Sequence, residues 1–137
     1  CDCREIRYRM TTPPLFVHCC HCRWCQRESG ASFALNAMIE ADRVELLAGR
    51  PEAVLTPSES GRGQKIWRCP KCRIALWSNY SGAGDVVNFV RVGTLDDPDL
   101  QGFVAMQGGQ IAMESPPVAV SDLDFRLGLA AGLQVLG

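Results

Sequence analysis

The sequence predicts a mainly β domain with short helical turns, held together by clustered cysteines. Three observations carry this reading. The chain has 137 residues, 47% of them hydrophobic, enough for one domain with its own core. Its apolar runs are short, rich in valine or alternating, and bounded by Gly, Pro, Ser and Asn, which is strand patterning. Its eight cysteines fall into three tight groups, Cys1–Cys3, Cys19–Cys25 and Cys69–Cys72. Disulfide frameworks spread along a chain, whereas metal-binding knuckles cluster. Residues 1–137 are read as a single domain.

Charge narrows the function classes. Fourteen basic and 15 acidic residues leave a formal charge of -1 with no long run of either sign, which argues against a nucleic-acid or anionic-membrane surface. Arg supplies nearly all the positive charge, with Lys65 and Lys71 the only lysines; guanidinium suits bidentate contact with carboxylates. No apolar stretch is long enough to span a bilayer, and the start lacks the pattern of a signal peptide. A cytoplasmic protein is expected. A chain opening on Cys1 lacks an initiator methionine, which implies residues upstream.

In chain order, residues 4–8 read as a short strand and 11–14 as a turn, since consecutive prolines forbid regular pairing. Residues 15–18 form a second strand leading into the cysteine-rich stretch. Residues 23–28 contain no β-branched side chain and end near Gly30, so one or two helical turns are expected. Strands follow over 32–39 and 44–47, the latter closed by Gly49-Arg50-Pro51. Residues 56–63 are a polar loop. Residues 65–68 and 74–79 flank Cys69-Pro70-Lys71-Cys72 as a hairpin-like ribbon. Residues 86–92 are the clearest strand, and 107–110 a glycine-centred turn. Ser121 to Asp124 resembles a capping box, and residues 123–130 fit a short helix or, almost as well, a strand.

Cys69-x-x-Cys72 has chelate spacing, so its thiolates can take adjacent corners of a tetrahedron. Cys1-x-Cys3 is the natural second pair. Joining them would tie the first strand to the middle of the chain, with metal binding offsetting the loop-closure entropy. Four thiolates leave no open position, so such a site is structural. The bland alternative leaves Cys1 and Cys3 as exposed thiols.

The stretch 18–25 holds His18, Cys19, Cys20, His21, Cys22 and Cys25. If it is extended, side-chain alternation turns Cys19 and His21 away from Cys20 and Cys22. Cys20, Cys22 and Cys25 can then converge on one ion with no obvious fourth ligand. Three protein ligands plus an open position is the catalytic arrangement of zinc. Other readings stay open at this point. Cys19 could complete a second structural site, or the thiols could carry exchange or redox chemistry without metal. His18 and His21 are surface residues or bases. Arg23 and Arg27, four apart, share one helical face; they would receive a substrate carboxylate or simply pair with Glu28. Trp24 and Phe33 wall a pocket or pack in the core; Trp67 and Trp77 should pack around the Cys69–Cys72 knuckle.

Taken together, Cys1-Asp2-Cys3 with Tyr8, Cys20-His21-Cys22-Arg23-Trp24-Cys25 with Ser29-Gly30, Cys69-Pro70-Lys71-Cys72, and Gly93-Thr94-Leu95-Asp96-Asp97-Pro98 form an ordered set. It resembles the glutathione-dependent formaldehyde-activating enzyme family, also called the GFA or CENP-V domain family, over residues 1–100. The resemblance implies a Mss4-like, zinc-stabilised β fold with two zinc ions. Cys1, Cys3, Cys69 and Cys72 would hold the structural ion, and Cys20, Cys22 and Cys25 the catalytic one. It also implies a carbon–sulfur lyase handling a thiol–aldehyde adduct such as S-hydroxymethylglutathione, with a small thiol such as glutathione and a small aldehyde as partners. Arg4 and Arg73 stand where the family usually has glycine, which more easily accepts a special backbone angle. The family's usual His and Trp are missing from 101–114. A non-catalytic zinc-stabilised binding module and a thiol-exchange protein are the competing classes.

Overall fold

The computed structural model describes residues 1–97 and the backbone of two further strands, 103–107 and 110–114. The expected helix at 123–130 and its capping box lie outside the described residues. The strands are β1 (Arg7–Met10), β2 (Phe16–Cys20), β3 (Ala34–Glu40), β4 (Val44–Ala48), β5 (Glu52–Thr56), β6 (Gln64–Arg68), β7 (Ala75–Tyr80), β8 (Val87–Arg91), β9 (Phe103–Gln107) and β10 (Gln110–Glu114). Among the described residues, one α-helix, α1 (Arg23–Ser29), and three single 3-10 turns accompany them. The architecture is mainly β with short helical turns, in the general Mss4-like topology.

Eight strands form one sheet in the order β10-β9-β2-β3-β8-β7-β6-β5, while β1 and β4 form a separate antiparallel pair. Every pairing is antiparallel except β2 with β9. Register explains how the sheet divides into two faces. Val17, Ala37, Val90 and Trp77 stand opposite one another across β2, β3, β8 and β7. All four belong to the buried core, together with Ile6, Ile39, Leu76, Val92 and Cys69. Tyr8, Met10 and Val44 of the β1–β4 pair pack against that core. Side chains alternate along a strand, so the neighbouring rows face the other way. Those rows are Phe16, Met38, Phe89 and Ser78, and then His18, Asn36 and Arg91.

Most expected elements appear with shifted ends. β1 starts at Arg7 because the residues before it wrap the first cysteine group: the Ile6 amide donates to Cys1 Sγ at 3.3 Å. β2 runs on to Cys20. β5 carried no strand signal in the sequence. It is an edge strand whose Leu55 is 80% exposed, so no buried face imposes an alternating pattern on it. The glycines at the centre of the turn expected at 107–110 lie outside the described residues, while Gln107 and Gln110 on either side pair across β9 and β10.

Candidate metal centres and the second face of the sheet

Two groups of cysteines converge in space: Cys1, Cys3, Cys69 and Cys72 form one, and Cys20, Cys22 and Cys25 the other, each with its sulfurs within 4.8 Å of one another. All eight cysteines are free thiols.

The first group is built from two turns. In the β6–β7 connection the Arg73 amide donates to the Cys69 carbonyl at 3.0 Å, and the Cys72 amide reaches Cys69 Sγ at 3.5 Å. At the chain start the Arg4 amide donates to the Cys1 carbonyl at 3.1 Å. Both turns close with a left-handed residue, Arg4 (φ 60°) and Arg73 (φ 63°), which is the special backbone angle expected at the two positions where the family favours glycine. The contact between them is Cys3 Sγ to Cys69 Sγ at 3.6 Å, with Cys1 Sγ to Cys3 Sγ at 3.7 Å. A tetrahedral zinc with bonds of about 2.3 Å sets its sulfurs about 3.8 Å apart, so the donor set fits. Backbone amides of Cys3 and Ile74 pull the Cys72 thiol down to about 6, towards the thiolate that a metal requires. Trp77 and Cys69 share the core and Trp67 packs against it, its ring 6.1 Å from that of Trp77, as expected for indoles flanking the knuckle.

A clamp holds the start of the chain in place. Arg7 pairs with Asp96, and the Tyr8 hydroxyl lies 2.5 Å from Thr94 Oγ1. Two motifs that are nearly ninety residues apart in sequence thus meet beside the first cysteine group.

The second group lies on the opposite sheet face, where β2 hands over to α1. Cys22 is the helix N-cap: its backbone is extended (φ -62°, ψ 152°) and its sulfur accepts from the Cys25 amide at 3.4 Å. Capping geometry therefore sets Cys22 and Cys25 together one turn apart. Gly30, left-handed at φ 66°, ends the helix. Cys20, last in β2, supplies the third sulfur. Cys19 is buried but stands outside the group, because alternation turns it to the other face; burial pushes its thiol up to about 12. The reading with Cys19 as fourth ligand is therefore not met. Among the described residues no fourth His, Cys, Asp or Glu joins the three sulfurs. The donor set fits a soft divalent ion with one coordination position left to another ligand.

Electrostatics within this group are uneven. The hydrogen bond from Cys25 brings the Cys20 thiol down to about 6, helped by the Cys22 amide and the Arg91 charge and opposed by burial. Cys25, sharing that hydrogen bond and buried, is pushed up. Tyr80 stands 3.9 Å from Cys25 Sγ through its hydroxyl, and burial holds it protonated. Arg91 donates through Nη1 to Asn36 Oδ1.

The remaining sequence candidates separate. His18 is 3% exposed, its Nδ1 has no partner among the described residues, and burial followed by the Arg91 charge lowers it to about 4, so the imidazole is neutral. His21 lies against Phe33, ring centroids 5.4 Å apart. Arg23 and Arg27 are exposed, and the Glu28 partner is instead Arg68. Asn36, Tyr80 and Arg91 escaped the sequence reading. No local pattern singles them out: Tyr80 and Arg91 close strands that carry other polar residues, Ser78, Asn79 and Asn88.

The class defined here is a β protein with two cysteine groups on opposite faces of a sheet, one of four sulfurs and one, among the described residues, of three. The family model of the glutathione-dependent formaldehyde-activating enzymes (GFA) matches residues 1–106, and the chain belongs to that family. A search of curated proteins finds no match. Among solved structures, a Rhodobacter sphaeroides protein is similar, with 18% identity and a TM-score of 0.52 over 70% of this chain and 84% of that one. That likeness concerns the fold alone. Among the described residues no helix is long and apolar enough to cross a membrane.

Proposed function

We propose that the chain is a zinc-dependent carbon–sulfur lyase acting on the adduct of a small thiol and a small aldehyde, with S-hydroxymethylglutathione as the reference substrate. Family membership gives the general thiol-handling and formaldehyde-activating class. The observation that carries the finer reading is the three-sulfur group without a fourth ligand among the described residues. In this reading Cys1, Cys3, Cys69 and Cys72 hold a structural zinc ion, and Cys20, Cys22 and Cys25 a catalytic one, within one cytoplasmic domain.

Zinc bound by Cys20, Cys22 and Cys25 would supply Lewis acidity and lower the pKa of a thiol at the open position. The chain supplies the rest. Cys22 and Cys25 are fixed by the helix cap, so the three donors are preorganised. Tyr80 and Phe89, with rings 5.0 Å apart, and the neutral His18 ring, 5.7 Å from Phe89, give an aromatic wall. In the adduct-forming direction the substrate sulfur bonds to the aldehyde carbon, the carbonyl pair moves onto oxygen, and that oxygen takes a proton. The lyase direction breaks the same carbon–sulfur bond and returns the proton.

Zinc per chain, measured on wild type and Cys22→Ser purified without added metal, tests this. Serine keeps a capping oxygen for the Cys25 amide, so the variant should stay folded. Two ions falling to one, with loss of adduct formation from glutathione and formaldehyde, is the expected result. One ion in both proteins, unchanged by added zinc, would leave the binding-module and thiol-exchange readings ahead.

A further inference from the structure

The second face of the sheet holds more polar chemistry than its three thiols. His18, Asn36 and Arg91 stand in one row across β2, β3 and β8. Cys20 and Ala34 form the next row on the same face. Among the described residues, three of the five buried side-chain atoms without a hydrogen-bond partner lie here, His18 Nδ1, Ser78 Oγ and Arg91 Nη2; the other two, Thr56 Oγ1 and Gln64 Oε1, belong to β5 and β6. Buried donors in native proteins are paired as a rule, so this concentration marks a place where a further polar group is expected.

The Asn36 bond sets the direction of Arg91. By donating Nη1 to Asn36 Oδ1, the guanidinium leans from β8 over β3, towards β2 and Cys20. Strands two apart are separated by about 9–10 Å, most of which a long side chain crossing its neighbour can span. Nη2 is left with no partner among the described residues. Among the described residues, Arg23 and Arg27 of the neighbouring helix are exposed, and Arg68 pairs with Glu28.

We propose that Arg91 is a positioning and specificity residue of the second centre: held by Asn36, its guanidinium offsets the charge of the three cysteine thiolates and makes the open position favour thiolates over neutral ligands. This rests on the reading of Cys20, Cys22 and Cys25 as ligands of a divalent ion. Three thiolates around such an ion carry one net negative charge, so an incoming thiolate is repelled. Repulsion of that kind is strong where water is excluded. A guanidinium beside the group cancels the net charge and keeps its proton at every working pH. A neutral ligand gains nothing from it.

The test uses protein loaded with Co2+ in both centres, whose absorption spectrum reports a change of ligand. Wild type, Arg91→Met, Arg91→Lys and Asn36→Ala are titrated with 2-mercaptoethanol and, separately, with imidazole. Arg91→Met should bind the thiol about tenfold more weakly or worse, with imidazole affinity and metal content unchanged. Arg91→Lys should keep most of the thiol affinity, and Asn36→Ala should fall between. Wild-type thiol affinity in Arg91→Met, or an equal loss for both ligands, would overturn the proposal. Should Arg91→Met fail to fold, Asn36→Ala at wild-type thiol affinity would overturn it. Failure of the underlying reading shows in wild type alone, as a single bound ion or a spectrum indifferent to both ligands, and the proposal falls with it.

Discussion

Arg4 and Arg73 hold the same place in two different turns. Each directly follows the second cysteine of a pair, and each has a left-handed backbone, φ 60° and 63°. A side chain with a Cβ is strained there by about 1–2 kcal/mol, while glycine costs more entropy on folding. The balance favours glycine, so Arg4→Gly should stabilise the metal-loaded protein by about 0.5–1 kcal/mol. Arg73→Gly should gain less, because Arg73 also pairs with Glu52 at 2.6 Å. Urea midpoints of both variants check this; a lower midpoint for Arg4→Gly would show that the arginine side chain does more than the backbone suggests.

Gly49 is a position where space and backbone angle both exclude a side chain. Its φ is +72°, and a Cβ there would stand 2.3 Å from the Glu5 carbonyl oxygen and 2.6 Å from Ile6 Cδ1. Backbone must move to relieve such a contact, and it is the backbone whose Ile6 amide donates to Cys1 Sγ. Gly49→Ala should therefore cost about 2–4 kcal/mol and loosen metal at the first centre. The checks are a thermal melt and the rate of zinc release to a chelator. Wild-type behaviour in both would mean that the β4–β5 turn and the chain start are not in close contact.

The two cysteine centres should differ in what their loss does. Cys69 is fully buried among core side chains, so Cys72→Ser or chelation at that centre should disturb Trp67 and Trp77 and cost roughly 3–5 kcal/mol. In a Trp24→Phe background, which removes the indole beside Cys25, Cys22→Ser should leave the fluorescence of Trp67 and Trp77 close to wild type, because the second group lies on the opposite face. Fluorescence and midpoint measured side by side distinguish the two. Equal losses would place both centres in one cooperative unit.

Legibility in the sequence follows how local the cause is. Chelate spacing, the Gly30 stop and the valine-rich strand before Arg91 are local signals, and their elements form where expected. Side-chain alternation was enough to separate Cys19 from Cys20. β5 was silent because an edge strand with an exposed Leu55 has no buried face to pattern it. Asn36, Tyr80 and Arg91 were illegible for a different reason: their meaning comes from strand order. The sheet sets β2 beside β3 and β3 beside β8, and only that order brings Arg91 towards Cys20. The same holds for Tyr8 and Thr94, two motif residues whose contact no spacing rule foretells.

That Tyr8–Thr94 contact gives a pH dependence with a definite sign. Burial pushes the Tyr8 hydroxyl up to about 12, against the Thr94 hydrogen bond, which lowers it. An unfolded tyrosine ionises near 10, so between about 10 and 12 the unfolded chain holds fewer protons than the folded one, and stability falls as pH rises. The contribution is intact below pH 10, and up to about 2–3 kcal/mol is lost by pH 12. Tyr8→Phe removes the titrating group. At neutral pH it should cost about 1 kcal/mol, since Thr94 Oγ1 still donates to the Arg91 carbonyl at 2.8 Å. Above pH 10 the variant should lose stability less steeply than wild type, and their urea midpoints should converge and then cross. Parallel curves from pH 8 to 12 would mean that Tyr8 ionises as freely in the folded chain as in the unfolded one, and the clamp between the chain start and Thr94 would then be open to water.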